Sequence, residues 1–169
     1  MEKIALEIII PIYNEGYQVI KLLNQFKVLI KTKFRIIFCY DFEEDNIFNY
    51  KEELKKFNFN VVFVKNPSSG PCEAIKAGLN YASSDCALVY PADDFLNINI
   101  IDSMYNAFKN GSDIVVASRF IKGGSMKKCP MIKSILVRAA SITLFMFSSI
   151  PVKDASNGFR LFSKRLLNT

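Results

Sequence analysis

The chain has 169 residues, of which 50% are hydrophobic, and a formal net charge of +6. That length is enough for a single domain with a buried core. The absence of histidine excludes Ser-His and Cys-His nucleophile systems, and no uncharged apolar stretch reaches the roughly 18 residues of a transmembrane helix.

Apolar segments with strand-like and helix-like spacing alternate along the chain. Strands are expected at 4–10, 34–40, 60–65, 86–90, 113–118 and 158–163, and helices at 16–30, 47–57, 71–83, 98–110 and 131–148. Most strand segments are continuous apolar runs, which indicates a mostly parallel sheet covered by helices on both faces. The predicted fold is therefore a three-layer α/β/α domain over residues 1–169.

The four cysteines form no C-x-x-C pair. Cys39 and Cys86 fall in predicted strands, where free cysteine is commonly buried. This usage favours a reducing cytoplasm over a zinc or disulfide framework.

Acidic turns follow three of the predicted strands: "PIYNE", "DFEED" and "PADDF". Ligands of parallel sheets bind outside the carboxyl ends of the strands, so these turns are expected to converge on one crevice. Converging carboxylates repel one another unless a cation lies among them. Mg²⁺ and Mn²⁺ prefer oxygen ligands, with phosphate oxygens and water completing the shell. The prediction is a metal-diphosphate site.

Asp93 and Asp94 of "PADDF" are expected to have different roles, because neighbouring residues of an extended chain point to opposite faces. Asp93 is the predicted metal ligand, and Asp94 faces the acceptor or caps the next turn. The alternative is that both carboxylates cap the helix near Asn97, where negative charge is favourable.

Glu15 and Asp41 are candidates for recognising a nucleobase, because a carboxylate accepts N–H from uracil or from guanine equally well. The alternative for the first turn is that Asn14 and Glu15 begin the first helix as cap and first-turn acid. Amides near Gly70, which precedes the helix at 71–83, are candidates for contacting a phosphate.

Positive charge is concentrated in the last third of the chain. Residues 119–169 carry a net charge of +9, and residues 1–118 carry −3. Solubility alone would explain this, but a face that meets an anionic partner is the sharper interpretation. The apolar helix at 131–148 is then either an interfacial helix on a membrane or a core helix on the sheet. Nucleic acid is not expected as a partner, because the acidic crevice repels phosphate without a metal.

The ordered set of motifs resembles the family 2 glycosyltransferases, in particular the branch of dolichol-phosphate mannosyltransferases and undecaprenyl-phosphate sugar transferases. The motifs that carry the resemblance are "IIIPIYNE", "IIFCYDFEED", "NPSSGPCEAIKAGLNYASSD", "YPADDF", "DIVVASRFIKGG" and "DASNGFRLFSK". The resemblance implies a GT-A fold, a nucleotide-sugar donor and a divalent cation, Mg²⁺ or Mn²⁺.

The resemblance also implies roles for individual residues. Pro11, Tyr13 and Glu15 would contact the nucleoside, Asp41 would recognise the base, and Asp93 would bind the metal. Arg119 and Lys133 would face phosphates, with Arg138 a further substrate-binding candidate, and Asp154, Asn157 and Arg160 would belong to the segment that closes over the donor sugar. The candidate catalytic residues are Asp93, Asp94 and Arg119.

Several positions depart from the family pattern. Pro91 replaces the first acid of the D-x-D motif, and Phe42 stands in an acidic turn that usually has two Asp and a Gly. Val137 and Asn157 each replace a family serine. These departures predict a metal site with fewer carboxylate ligands than is usual in the family, and therefore weak catalysis or an unusual donor. The chain also stops soon after "GFRLFS", earlier than is common in this branch, which indicates a fragment of a longer protein.

The implied reaction is inverting transfer of a hexose from a UDP- or GDP-sugar to a polyprenyl phosphate, at the inner face of a membrane. The acceptor is already an anion, so no base is needed, which agrees with the absence of histidine. Two alternatives remain open. The acceptor is a sugar hydroxyl with Asp94 as base, or the chain is a degenerate nucleotide-sugar-binding domain without activity.

Overall fold

Six apolar segments form the strands of one sheet in the computed structural model. The structure describes residues 4–121, 124, 130–147, 154 and 156–167. The strands are β1 (Leu6–Pro11), β2 (Phe34–Tyr40), β3 (Asn60–Lys65), β4 (Cys86–Val89), β5 (Ile114–Val116) and β6 (Arg160–Ser163). The helices are α1 (Gly16–Leu29), α2 (Lys51–Leu54), α3 (Pro71–Tyr81), α4 (Ile101–Lys109), α5 (Met131–Phe147) and α6 (Lys164–Leu167).

The strand order is β3-β2-β1-β4-β6-β5. Neighbouring strands from β3 to β4 pair in parallel, whereas β6 pairs antiparallel with both β4 and β5. In this sheet β6 is thus the strand that runs opposite to the others. The prediction of a mostly parallel sheet is confirmed.

The sheet is buried on both faces, as its apolar strands predict. Along β1, Ile8 and Ile10 belong to the larger core, which also contains Leu22 and Phe26 of α1. Ile9 points to the other face and packs in a smaller core with residues of α3. Alternate residues of one strand therefore contact different helix layers, which gives three layers.

Several predicted element boundaries differ from the structure, among them those of two helices and one strand. The helix expected at 47–57 divides into a 3-10 helix, Asn46–Tyr50, followed by the single turn of α2. The helix expected at 98–110 likewise begins with a 3-10 turn, Ile98–Ile100, and the fifth strand is only Ile114–Val116. Local periodicity does not distinguish a 3-10 turn from the first turn of an α-helix, so these errors lie at element ends.

No helix in the described part of the chain is long and apolar enough to cross a bilayer.

Candidate active site

The turns after β1, β2 and β4 meet at the carboxyl edge of the sheet. The Tyr13 ring packs edge-on against the Phe42 ring, with centroids 5.3 Å apart. Glu15 lies close enough to Asp93 for the Asp93 charge to help raise its pKa. The predicted convergence of the three turns is therefore observed, and Pro11, the last residue of β1, leads directly into it.

Glu15 is a half-buried carboxylate with other acids nearby. Burial is the main cause that raises its pKa above the ordinary value, and the charges of Asp93 and Asp45 raise it further. A hydrogen bond from the Tyr13 backbone opposes this change. The position is thus electrostatically suited to a cation, because a positive charge there would relieve the repulsion.

The alternative of helix capping in the first turn is wrong. Glu15 occupies the N-cap position of α1, but its side chain makes no capping hydrogen bond. Asn14 has a left-handed backbone, with φ of 59°, and its side-chain oxygen accepts a hydrogen bond from the Asn46 amide at 3.2 Å. Asn14 therefore connects two turns and does not cap the helix.

Asp41 is held on both of its carboxylate oxygens. Asn66 Nδ2 donates to Oδ1 at 2.5 Å, and the Gly70 amide donates to Oδ2 at 3.1 Å. Gly70 was expected to offer this amide to a phosphate, but in the structure the amide orients Asp41. The carboxylate keeps lone pairs for a base, since each oxygen can accept more than one hydrogen bond.

Asp94 caps the turn that follows it. Its Oδ1 accepts hydrogen bonds from the amides of Leu96 and Asn97 at 3.0 and 3.1 Å, and Asn97 Nδ2 donates to both of its oxygens. The hydroxyl of Tyr90, a core residue, donates to the Asp94 carbonyl at 2.6 Å and so holds the turn against the core. Of the two roles predicted for Asp94, the structure contains the cap.

The Asp93 carboxylate is exposed and, in the part of the chain that the structure describes, accepts no hydrogen bond. No group of three or more His, Cys, Asp or Glu side chains that could hold a metal lies within the described residues. Asp93, with Glu15 nearby, supplies the hard oxygen donors that Mg²⁺ or Mn²⁺ prefers, and such ions commonly take only one or two carboxylates beside phosphate and water. The residues fit a cation shared with a diphosphate.

Arg119 and Asp154 bind each other. The buried Asp154 carboxylate accepts hydrogen bonds from the Arg119 amide at 2.9 Å, from Nε at 2.8 Å and from Nη2 at 2.6 Å. Arg119 Nη2 also donates to Ser156 Oγ at 2.6 Å. The sequence-based roles place these two residues on phosphate and sugar, whereas the structure shows them as one bidentate pair.

Asn157 and Arg160 mainly hold backbone. Asn157 Nδ2 donates to the Ala117 carbonyl, its Oδ1 accepts from the Phe159 amide, and Arg160 Nε donates to the Asn157 carbonyl at 2.6 Å. These bonds join the loop before β6 to the end of β5. Their predicted contact with the donor sugar remains a prediction.

Two guanidinium groups flank the Phe120 ring. The Arg119 guanidinium carbon lies 5.4 Å from the ring centroid and that of Arg138 lies 5.6 Å from it. Two predicted anion-binding residues are thus gathered at one place, between the end of β5 and α5. The side chain of Lys133 lies outside the described residues.

Helix α5 presents a largely apolar surface to solvent. The exposed residues include Met131, Ile132, Ile135, Leu136, Ile142, Leu144, Phe145, Met146 and Phe147. In the described part of the chain the sheet does not bury these side chains, so the choice between an interfacial helix and a core helix stays a prediction.

Asp45, Asn46 and Asn66 have contacts in the site that the sequence analysis missed. Asp45 Oδ1 accepts from the Ile47 amide and caps the 3-10 helix. Asp followed by an apolar helical segment is an N-cap signature, so Asp45 could have been found. The contacts of Asn66 and Asn46 with other turns have no local signal.

A cavity of about 400 Å³ lies away from this site and is lined in part by Asp85, Ser112, Lys164 and Arg165. It is at the amino end of β4 and therefore at the opposite edge of the sheet. It has no part in the arrangement described above.

Comparison with known proteins defines the class. The sequence model described as "Glycosyl transferase family 2" matches residues 7–169, so the chain belongs to this family. Two curated relatives are a dolichol-phosphate mannosyltransferase of Pyrococcus furiosus, 26% identical over 95% of this chain and 46% of that protein, and a dolichyl-phosphate beta-glucosyltransferase of Dictyostelium discoideum, 26% identical over 97% of this chain and 55% of that protein. The chain thus spans about half the length of these relatives.

Solved structures show the same fold. The mannosyltransferase PcManGT of Pyrobaculum calidifontis, in complex with GDP-Man and Mn²⁺, has a TM-score of 0.62 at 15% identity and covers 99% of this chain and 47% of its own. Glucosyl-3-phosphoglycerate synthase of Mycobacterium tuberculosis, in complex with Mn²⁺, UDP and phosphoglyceric acid, has a TM-score of 0.65 at 17% identity and covers 96% of this chain and 56% of its own. The fold is that of the GT-A glycosyltransferases.

Proposed function

We propose that the chain is the donor-binding and catalytic part of a glycosyltransferase that moves a hexose from a UDP- or GDP-sugar to a polyprenyl phosphate. The observation that carries the proposal is that Glu15 and Asp93 lie near each other at the sheet edge where the turn of Asp41 and Phe42 also ends, in a chain of this family. In the described residues no lysine or arginine forms an ion pair with any of the three carboxylates.

In this proposal the first two turns hold the nucleoside. Asp41, oriented by Asn66 and Gly70, accepts N–H groups of the base, and the exposed Tyr13 ring lies beside it. Asp93 would hold Mg²⁺ or Mn²⁺ against the donor diphosphate. The cation, when bound, neutralises the charge that develops on the leaving diphosphate.

An oxygen of the acceptor phosphate attacks the anomeric carbon, and the bond from that carbon to the diphosphate oxygen breaks. The electron pair leaves with the nucleoside diphosphate, and in-line attack inverts the anomeric carbon. No proton has to be removed, so the chain needs only to position two anions and stabilise charge. Arg119 and Arg138, gathered around Phe120, are the cations proposed to contact the acceptor phosphate.

A sugar hydroxyl is a weaker proposal for the acceptor. That acceptor would need a base, and the Asp94 carboxylate already receives hydrogen bonds from Leu96 and Asn97 as a cap. If Asp94→Asn retained donor binding but lost transfer, the hydroxyl acceptor would be favoured over the polyprenyl phosphate.

The helix α5, with Arg119 and Arg138 beside it at Phe120, is proposed to lie on the surface of a membrane, with the protein peripheral at the inner face. Its exposed apolar residues and the net charge of +9 over residues 119–169 support this. A polyprenyl phosphate, which carries its anion at the membrane surface, would be within reach of such a domain.

The test is a thermal-shift panel of UDP-, GDP- and CDP-sugars with and without Mn²⁺, followed by transfer of labelled sugar to polyprenyl phosphate. At about 100 times Kd the cognate nucleotide stabilises the protein by about 2.7 kcal/mol, which raises Tm by roughly 5–10 °C. Asp93→Asn should abolish the Mn²⁺-dependent part of the Tm increase and lower the rate of sugar transfer by on the order of 100-fold.

Asp94→Asn is the matched control, because it removes a neighbouring carboxylate that caps a turn. It should lower Tm without nucleotide but keep the Mn²⁺-dependent increase. Nucleotide binding without transfer to any acceptor would favour a non-catalytic domain, and a panel with no Mn²⁺-dependent shift would overturn both enzyme proposals.

A further inference from the structure

The turn that carries Tyr13 and Glu15 is held in place from a second turn more than thirty residues away. The Asn14 amide donates to Asp45 Oδ2 at 2.8 Å, and Asn46 Nδ2 donates to the Asn14 carbonyl at 2.9 Å. The Asn46 amide donates in return to Asn14 Oδ1. We refer to these residues, Asn14, Asp45 and Asn46, as the asparagine lock.

The lock also fixes the start of α1. Asn46 Oδ1 accepts a hydrogen bond from the Gly16 amide at 2.7 Å. A Cβ at Gly16 would lie 2.8 Å from the Asn46 carbonyl oxygen and 2.8 Å from the Tyr50 ring. Both distances are too short for a carbon atom, so any other residue at position 16 would push the two turns apart. Glycine is thus required for the two turns to approach this closely.

Each polar atom of the Asp45 and Asn46 side chains forms a hydrogen bond with the protein. Asp45 is 1% exposed, and its two oxygens accept from the amides of Asn14 and Ile47. The side chain of Asn46 donates to the Asn14 carbonyl and accepts from the Gly16 amide. These residues therefore have no direct contact to offer a ligand, and their effect on one must pass through the turns that they hold.

The held turns are those proposed to bind the nucleoside. Tyr13 precedes Asn14 and Glu15 follows it, while Asp41 and Phe42 lie at the start of the segment that contains Asp45 and Asn46. The left-handed φ of Asn14, 59°, is a conformation that most residues adopt only at an energetic cost and that asparagine tolerates better than most. The hydrogen bonds of the lock hold Asn14 in this conformation and so set the direction of the residues on either side.

We infer that Asp45 and Asn46 are positioning residues of the donor site: through Asn14 and Gly16 they hold Tyr13 and Glu15 against the turn of Asp41 and Phe42 in the geometry that binds the nucleotide. This inference rests on the proposed function. It differs from a purely structural role in that nucleotide affinity depends on the lock beyond any loss of stability.

The experiment measures the Kd of the cognate nucleotide with Mn²⁺ by calorimetry on the wild type and on Asn46→Ala, at a temperature where both are fully folded. Losing the side-chain bonds to Gly16 and Asn14 should weaken binding about fivefold to tenfold. Asn49→Ala, an exposed asparagine on the same 3-10 helix, should leave Kd unchanged.

A second control separates positioning from stability. Asp102 also ties two segments together, with hydrogen bonds from the amides of Lys31 and Thr32 and from the Thr32 hydroxyl. Asp102→Ala should lower Tm to a similar extent and leave nucleotide Kd unchanged. If Asn46→Ala does not fold, Asn14→Gly keeps the left-handed backbone and removes one bond of the lock, and it should still weaken binding measurably.

The outcomes distinguish the two proposals. Nucleotide binding by the wild type with an unchanged Kd in Asn46→Ala, or in Asn14→Gly where that variant is used, overturns the positioning role and leaves the proposed function intact. An equal loss of affinity in Asp102→Ala also overturns it, because stability alone would then explain the effect. A wild type that binds no nucleotide overturns the proposed function and the positioning role together.

Discussion

The carboxylate of Asp154 shows how burial and pairing compete at one residue. Burial acts to raise its pKa, but hydrogen bonds from the Arg119 side chain and amide, the Arg119 charge and Ser156 together lower the pKa below the ordinary value. The group is therefore ionised at neutral pH and is stabilised by its partners. Such a pair costs more when one member is removed than it contributes when intact, because the other charge is left buried.

Asp154→Asn is expected to lower the free energy of unfolding by about 3 kcal/mol at pH 7. Since the folded pKa is below the unfolded value of about 3.9, the wild-type contribution is fully present above that pH and is lost as pH falls through the folded pKa. The variant should lack this acid-dependent loss. Urea unfolding at pH 7 and at pH 3 measures both effects.

Asp113→Asn is the comparison for this experiment, because Asp113 forms an exposed pair with Arg165. Solvent screens an exposed pair, so the loss at pH 7 should be clearly smaller. Equal losses in the two variants would contradict the account of a buried pair.

At the scale of elements, α3 packs against the sheet through a glycine that leaves no room for a side chain. Gly78 faces β1 and β2, and a Cβ at that position would lie 2.8 Å from Cys39 Sγ and also overlap the side chain of Ile9. Ala74 and Ala82, on either side, are buried as well. This contact sets the distance between α3 and the sheet. Because Gly70 directly precedes α3, the same distance fixes the position of the Gly70 amide that orients Asp41.

Gly78→Ala is expected to destabilise the protein by about 1–3 kcal/mol, because the added methyl group overpacks the smaller core. Equilibrium unfolding in urea measures the change. Asn80→Ala, at an exposed position of the same helix, should be neutral or slightly stabilising because alanine has the higher helix propensity. Greater stability in the Gly78 variant would show that the close approach is unnecessary.

The elements of the fold could be predicted because parallel strands covered on both faces are continuous apolar runs. Segments such as "LEIIIP" and "FRIIFCY" need no long-range information to be recognised. The place of β6 between β4 and β5 is different. It depends on antiparallel pairing between distant segments, and the four residues "RLFS" do not encode their neighbours.

The candidate site could likewise be predicted only where the topology of the sheet by itself brings residues together. Glu15 and Asp93 follow strands whose carboxyl ends must share an edge, so their meeting follows from topology. The bond from Asn14 to Asp45 joins residues 31 positions apart, and the pair of Arg119 and Asp154 joins residues 35 apart. Which side chains meet across such distances depends on side-chain directions in turns, and a motif that implies a ligand contact cannot reveal that two of its members bind each other.

At the scale of the whole molecule, charge and apolar surface occur in the same third of the chain. Residues 119–169 carry +9, and α5 exposes Phe147 to 83%. The wild type should therefore sediment with vesicles that contain anionic lipid at low salt, and less so at high salt. Phe147→Asp should weaken this binding by about tenfold, from the loss of one aromatic side chain in the interface.

Val28→Asp provides the matched control, because Val28 is 78% exposed on α1, outside the basic third. Its binding to vesicles should equal that of the wild type. A wild type that stays in the supernatant at low salt would contradict the membrane proposal.

The position of β6 also bears on synthesis. Strand β5 pairs with β6 in this sheet, and β6 comes later in the chain and lies between β5 and β4. The nascent polypeptide leaves the ribosome from its amino end, so β1 to β4 can assemble first. Strand β5 (Ile114–Val116) cannot pair in the sheet until residues 160–163 have also emerged. During that interval both the free side of β4 and the whole of β5 are unpaired edges, open to mispairing and to chaperones.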